Sequence, residues 1–397
     1  MNFDGTTLRN WARVFGPAWL VMMADVDIAS IVTGLQAGAS WGYRMVFIML
    51  ILTVPLFVIQ DAAGRLGTVG GLGLGEAIAR FFGRRTAMAA ALPMAVSDFL
   101  EYVAEYAGIA IGLYLVGLPV VIGLLVAYLI HSVIVVGRQY RQAEMALLPL
   151  SFMVVVLILV SVSLFHVDVG RLLSVGLSPI QPYGSPSFEF LNAASIGAVV
   201  MPWMLYFHSG ADSRKKLRAA DLRFERLETL VGAAVSEVLM AVIVLDGSHL
   251  TGSGDFLGTA ELAKALSPLG ANAPVLLGIG FLCAGFLALV VISLGSAWGV
   301  LEAIDKPSRN AFLGVYVLES MPALALVLLV SNYVKLMLNL MVIYTIIIIP
   351  SLYLLGRLIS NPRVMNGKHY GRREMALYWA MSAGIVIGGV LGLSSLL

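Results

Sequence analysis

Charge is what this sequence most lacks. Of its 397 residues, 25 are Lys or Arg and 23 are Asp or Glu, so charged types make up 12%. That is about half of the roughly 25% found in soluble domains. A soluble chain of this length would divide into two or three domains, each needing a charged skin. This chain cannot furnish one, which excludes a soluble protein, a nucleic-acid binder and a disordered chain. Cysteine is nearly absent too. Cys283 stands alone in an apolar run, which excludes an intrachain disulfide and a cysteine metal cluster. The five histidines are scattered at 131, 166, 208, 249 and 369. A membrane-embedded metalloenzyme would need His pairs or His–Glu clusters, so no enzyme, no resident cofactor and no protein partner are expected. A cleavable signal needs a basic start, a short apolar core and a small-residue site; the polar opening MNFDGTTLRN predicts none.

What is present in quantity is apolar. Hydrophobic types fill 59% of the chain and mean hydropathy is +0.92. A bilayer-crossing helix needs about 20 mostly apolar residues. Eleven such runs are predicted, at about 16–39, 44–64, 87–112, 113–135, 147–167, 190–208, 229–249, 273–298, 311–331, 334–356 and 376–396. They leave no room for a soluble domain, so the expectation is an all-α polytopic membrane protein embedded in a lipid bilayer. The one long polar stretch, about 168–189 with Pro179, Pro182 and Pro186, reads as a loop. With the N-terminus placed inside, only Arg44, Arg171, Lys264 and Lys335 fall on the outer side, and the other 21 of the 25 basic residues fall inside. This asymmetry predicts a cytoplasmic N-terminus, an external C-terminus and a plasma (inner) membrane location.

Acids interrupt the apolar runs. Asp25 and Asp27 lie midway along the first, Asp98, Glu101 and Glu105 in the third, and Glu237 near the middle of the seventh. Six such groups facing lipid would cost on the order of 15 kcal/mol or more, so they must face the bundle interior or a watery cavity, and intramembrane acids are functional candidates by default. Asp98, Glu101 and Glu105, at i, i+3 and i+7, share one helix face. Like charges so placed repel, and no Lys or Arg lies mid-span to balance them. Protons or a cation must do so; His131 in the fourth run is the one mid-membrane basic candidate.

Two runs look broken. Ala24-Asp25-Val26-Asp27-Ile28-Ala29-Ser30 disrupts the first, and Pro202 sits inside the sixth. Proline removes one backbone bond and frees a carbonyl about a turn earlier, here that of Ala198. Interrupted helices at matching places in two halves mark inverted-repeat transporters. The expectation is one domain over 1–397, with repeat one at about 11–167, repeat two at about 188–357 and an added helix at about 375–397. Asp27, Ser30, the Ala198 carbonyl and Met201 then meet at mid-membrane. A carboxylate and a carbonyl want a cation, and a thioether tolerates Mn²⁺ or Fe²⁺ better than Ca²⁺ or Mg²⁺. For Met201, core packing stays open beside ligation.

The sequence resembles the Nramp family of transition-metal transporters. Gly16-Pro17-Ala18-Trp19-Leu20 and Leu35-Gln36-Ala37-Gly38-Ala39-Ser40 look like its first helix, and the family's Asp-Pro-Gly-Asn falls on Asp27-Ile28-Ala29-Ser30. Ile196-Gly197-Ala198-Val199-Val200-Met201-Pro202 followed by Leu205-Tyr206-Phe207-His208-Ser209 looks like its sixth helix, and Glu105-Tyr106-Ala107-Gly108 like its acidic third-helix motif. The resemblance implies a carrier of LeuT type with five-plus-five inverted repeats and broken first and sixth helices, importing divalent metal ions of the Mn²⁺/Fe²⁺ kind by alternating access. It implies metal ligation by Asp27, Ser30, Ala198 and Met201, with Asp25, Trp203 and Asn339 at the periphery. Glu105, Glu101, Asp98, Glu237 and His208 would shape the field or carry protons. The departures matter. Ser30 replaces Asn, Ile28-Ala29 replaces Pro-Gly, Trp203 replaces His and Tyr102 replaces a third-helix Asp. They are similar to the magnesium-transporting branch, so Mg²⁺ transport with weak or no proton coupling is the alternative. An amino-acid carrier on the same fold and a plain ion channel are the further rivals.

Overall fold

The computed structural model describes residues 11, 13–137, 139–164, 166–250, 272–305, 308–329 and 334–394. The side chains of Arg9, Arg138, Lys264, Lys306 and Lys335, all used to orient the chain, lie outside the described residues.

Among the described residues every regular element is helical. In order these are α1 (Pro17–Asp25), α2 (Ile28–Trp41), α3 (Val46–Arg65), α4 (Leu74–Phe82), α5 (Arg84–Leu115), α6 (Val120–Gly137), α7 (Tyr140–Ser161), α8 (Pro186–Val199), α9 (Pro202–Lys215), α10 (Leu222–Ser248), α11 (Asn272–Ile304), α12 (Arg309–Leu329), α13 (Val334–Ile347), α14 (Ile349–Ile359) and α15 (Arg372–Ser394). Among the described residues ten continuous helical stretches are long and apolar enough to cross a membrane. The longest, Ile28–Gly70, holds the second half of the first crossing and the whole of the second. Its 43 residues would run about 65 Å at 1.5 Å each, twice the roughly 30 Å hydrocarbon core. A 3₁₀ corner at Gly42–Met45 turns the chain there, with Gly42 at φ +60°. Adding this turn restores eleven crossings. The tenth divides as well, at Ile348 before Pro350.

Three differences from the sequence reading are local. The third crossing, α5, runs 32 residues, beyond the expected 87–112. The stretch 168–189 holds one helical turn, Val169–Arg171, and a π turn, Leu172–Gly176. Between the second and third crossings lies α4, too short to span. It buries Leu74, Ala77 and Ile78 and exposes Glu76 and Arg80, as an interfacial helix does.

The interrupted crossings occupy the middle. In the Pro186–Lys215 stretch 89% of the apolar window is buried, against 22% for Val120–Gly137. The outward faces of α6, α7, α12 and α15 carry exposed Ile122, Leu129, Val156, Leu318 and Ile387; this is the lipid-compatible rim. Small residues bring the central helices close. A Cβ on Gly38 would strike the Val244 carbonyl of α10, and one on Gly247 would strike the Leu35 carbonyl of α2, so both crossing points require glycine.

Ion pairs gather at one end of the bundle. Arg13 pairs with Asp221, Lys215 with Glu144, Arg65 with Glu374 at 3.2 Å, Arg214 with Glu302 at 2.9 Å and Arg226 with Asp61 at 2.7 Å. The phenol of Tyr370 donates to Asp61 at 2.5 Å and lies under the Arg65 guanidinium. Burial first, and the Asp61 charge next, push that phenol above its ordinary range.

Candidate metal-ion site

The break in the first crossing is built by capping rather than by a Pro-Gly pair. α1 stops at Asp25, and Asp27 takes an extended conformation (φ −83°, ψ −179°) as N-cap of α2. Its Oδ1 accepts from the Ser30 N–H at 2.7 Å, the standard use of an N-cap aspartate. The next free backbone donor, the Ile28 N–H, donates to Glu105 at 3.2 Å. Two carboxylates thus sit on the electropositive start of α2. In the sixth crossing α8 ends at Val199, Met201 is the extended N-cap of α9, and Pro202 occupies the first turn, where its missing N–H costs nothing.

The two breaks face each other. The Ser30 hydroxyl donates to the Ala198 carbonyl at 3.3 Å, the carbonyl that Pro202 frees. Asp27, Glu101 and Glu105 each offer a carboxylate oxygen within 4.8 Å of the others, all fully buried. Asp27 Oδ2 and Glu101 Oε1 receive no hydrogen bond from the protein. No Lys or Arg joins them among the described residues. The ends of α1 and α8 add carbonyls with no helical partner, which favour a cation. Three acids, one bound carbonyl and no base form a pocket for positive charge. Met201 is wholly buried at this break, its N–H facing the Met204 sulfur at 3.4 Å.

The other expected residues spread outward. Asp25 Oδ2 accepts from Ser236 Oγ at 2.8 Å, while the neighbouring Glu237 keeps both oxygens free of donors. This second acidic spot lies where α1 meets α10. Asp98 lies beside Glu319 and Ser296, away from Asp27. Trp203 is buried with its indole N–H unpartnered, and Asn339 is half-buried on α13. His208 does not join Asp27 either: its Nδ1 donates to Gln60 Oε1 at 3.0 Å, two turns along α9.

Sequence reasoning missed Tyr344 and Glu319. Tyr344 on α13 donates to Glu101 Oε2 at 2.6 Å and to the Ser97 carbonyl at 3.1 Å. Nothing local in an apolar run that holds both Tyr344 and Tyr353 announces that contact. Glu319 sits mid-run in the ninth crossing and accepts from Ser296 at 2.8 Å; the rule that singled out the other acids would have found it. Tyr102 and His131 belong to a separate polar cluster. The Tyr102 hydroxyl donates to Ser293 at 2.6 Å, and His131 joins Ser293 at 2.8 Å and Tyr106 at 3.0 Å.

Known proteins share this fold. The manganese transporter of Eremococcus coleocola, in complex with an aromatic bis-isothiourea substituted compound, superposes with a TM-score of 0.83 at 19% identity, covering 100% of this chain and 88% of that one. MhsT in complex with L-phenylalanine gives 0.62 at 12% identity over 95% and 98%. At these identities the likeness shows the fold alone, an all-helical bundle. In sequence, the divalent metal cation transporter MntH of Agrobacterium fabrum is 26% identical over 73% of this chain and 66% of its own length. MntH of Verminephrobacter eiseniae is 28% identical over 70% and 64%, and that of Bacillus subtilis 25% over 81% and 76%. The matched part thus spans just under two thirds of the first two relatives. The sequence profile of one family, described as natural resistance-associated macrophage protein-like, matches residues 18–395. The chain therefore belongs to the Nramp family.

Proposed function

We propose that this protein is a secondary-active importer of divalent metal ions working by alternating access, with Asp27, Ser30, the Ala198 carbonyl and Met201 as the ion's ligands. One observation carries the reading: Ser30 on the first break touches the Ala198 carbonyl on the second, beside an Asp27 oxygen that no protein donor satisfies. An ion replacing the Ser30–Ala198 contact would gain a carbonyl, a hydroxyl and a carboxylate together. The printed names of the relatives, divalent metal cation and manganese transporters, support the same class of cargo. The basic end of the bundle is the cytoplasmic one on this reading, and the two repeats rock about the shared breaks.

Coupling to protons is weak on this reading. Trp203 stands where the family resemblance places His, and Tyr102, whose hydroxyl donates to Ser293 beside Glu319, stands where it places Asp. A second reading, Mg²⁺ transport, draws on Glu101. It adds a carboxylate beside Asp27 and Glu105, and a dense acidic site suits an ion that keeps its water. Uptake into proteoliposomes with Mn²⁺, Mg²⁺ and Ca²⁺ in parallel, with a pH dye inside, tests both. Mn²⁺ uptake that Asp27→Ala abolishes is expected. Retained uptake at normal affinity in that variant overturns the site, Mg²⁺ uptake without Mn²⁺ uptake selects the second reading, and strictly metal-dependent proton uptake overturns the weak-coupling claim.

A further inference from the structure

A second group of ligand atoms lies nearer the basic end, outside the site already described. His208 and Asp212 stand one turn apart on α9, and Glu225 faces them from the first turn of α10. His208 Nε2 is 3.4 Å from Glu225 Oε1 and 3.9 Å from Asp212 Oδ2. All three side chains are fully buried, and one donor atom from each lies within 4.8 Å of the others. His208 is seven residues beyond Met201 on the same helix, so this cluster sits about 10 Å further along the helix axis.

The histidine's tautomer is set from behind. Gln60 Oε1 can only accept, so His208 Nδ1 carries the proton at 3.0 Å and Nε2 presents a lone pair to the two carboxylates. Nε2 has no hydrogen-bond partner, nor have Glu225 Oε2 and Asp212 Oδ1. A buried lone pair aimed at two carboxylates is repulsive unless a proton or a metal cation lies between them, and the three unpartnered atoms leave room for the latter. The carboxylates have only hydroxyl donors, Thr229 to Glu225 at 2.9 Å and Thr68 to Asp212 at 3.0 Å. The nearby bases are engaged elsewhere: Arg226 with Asp61, Arg65 with Glu374 and Lys215 with Glu144. Space is kept by glycine, since a Cβ on Gly64 of α3 would run into Glu225 and His208.

We infer that His208, Asp212 and Glu225 form a second divalent-cation site, for a transition metal of the Mn²⁺ or Fe²⁺ type. Donors about 2.1 Å from one ion stand about 3.0–3.4 Å apart. The His208–Glu225 pair has that spacing, and a small rotation of Asp212 completes it. One imidazole with two carboxylates suits first-row metals better than Ca²⁺ or Mg²⁺, and the carbonyl behind Nδ1 is the usual outer support of a metal-bound histidine. An ion here ties α9 to α10 against α3 at the basic end.

The test is a Mn²⁺ titration of the full-length protein in detergent, with pulsed EPR of the bound ion. The site around Asp27 offers no histidine, so nitrogen coupling from a directly bound imidazole reports this second site alone. Two ions per chain are expected. Asp27→Ala should keep one, with nitrogen coupling, and adding His208→Gln should remove it. Gln60→Leu, which leaves all three ligands in place, should weaken it about 10–100-fold. No bound Mn²⁺ in Asp27→Ala, or bound Mn²⁺ without nitrogen coupling, overturns the inference, and so does an imidazolium held by the two acids that excludes Mn²⁺. Two ions retained in Asp27→Ala, one with nitrogen coupling, would sink the transport-site reading and leave this one standing.

Discussion

On the proposed reading Asp27 does two jobs with one carboxylate, and Asp27→Asn separates them. Oδ1 caps α2 through the Ser30 N–H at 2.7 Å, and asparagine caps a helix about as well as aspartate. The break and the fold should therefore survive. Alanine removes the cap as well, at a cost of about 1 kcal/mol. Both substitutions remove one of three carboxylates crowded within 4.8 Å, which relieves repulsion. The expected order of thermal midpoints in detergent is thus Asn at or above wild type, with Ala lower than Asn. Binding is a different matter. At an effective dielectric of about 20, unit charges about 4 Å apart attract by about 4 kcal/mol, and a dication about twice that. Dehydration of ion and carboxylate consumes much of this gain. A net loss of about 4 kcal/mol corresponds to about a thousandfold in Kd. Mn²⁺ calorimetry and vesicle uptake should both show at least that deficit for Asp27→Asn, with the fold intact. A Kd within about tenfold of wild type would refute the central role of this carboxylate, and an Asn variant as unstable as Ala would refute the capping argument.

Met201→Ala should leave Mn²⁺ uptake weaker and let Ca²⁺ or Mg²⁺ compete at about tenfold lower concentration, since a thioether penalises hard cations; an unchanged Mn²⁺/Mg²⁺ ratio in a competition assay would reduce Met201 to packing. Tyr344→Phe removes the hydroxyl that donates to Glu101 at 2.6 Å, a hydrogen bond of about 0.5–1.5 kcal/mol, and should move the pH dependence of uptake while sparing expression. Gly247→Val drives a branched side chain into the Leu35 carbonyl and should abolish a folded, monodisperse protein in size-exclusion chromatography. Tyr370→Phe should lower the unfolding midpoint, because Asp61 loses its 2.5 Å donor. Because the folded phenol is held above its ordinary range, its contribution is complete below about pH 10 and fades above it, which a pH series of melts would show.

Much of this architecture was legible because the bilayer restricts the alternatives. The lengths of the apolar runs and the proline at 202 speak directly to crossings and breaks. The 3₁₀ corner at Gly42 was not legible, since helix continuity between two apolar runs depends on one residue's φ. The break at Asp27 looked weakly encoded without Pro-Gly, yet an aspartate three residues before Ser30 suffices once the first helix has ended. The resemblance groups His208 with Glu105, Glu101, Asp98 and Glu237. Helical pitch puts it two turns along α9 from Met201, and only the packing of α9 against α3 shows that Gln60 receives it. Tyr344 and Glu101 are brought together from residues more than two hundred positions apart, and no local pattern encodes such a pairing.

The two halves of the first crossing are anchored in different ways. α2 is interlocked with α10 by glycines pressed against backbone carbonyls at Gly38 and Gly247, a fit that tolerates no sliding. α1 is held by polar side chains: Glu228 of α10 accepts the Gly16 N–H at 2.7 Å and the Trp19 N–H at 2.9 Å, and Ser151 of α7 accepts from the Trp19 indole at 2.8 Å. Between them lie only Val26 and Asp27. On the proposed transport reading α2 is the stator and α1 the lever arm, with Glu228 as the catch. Releasing that catch would let the arm swing at Val26 while the stator keeps Asp27 and Ser30 in register with Ala198, so that one end of the crossing moves without dismantling the proposed ligand set.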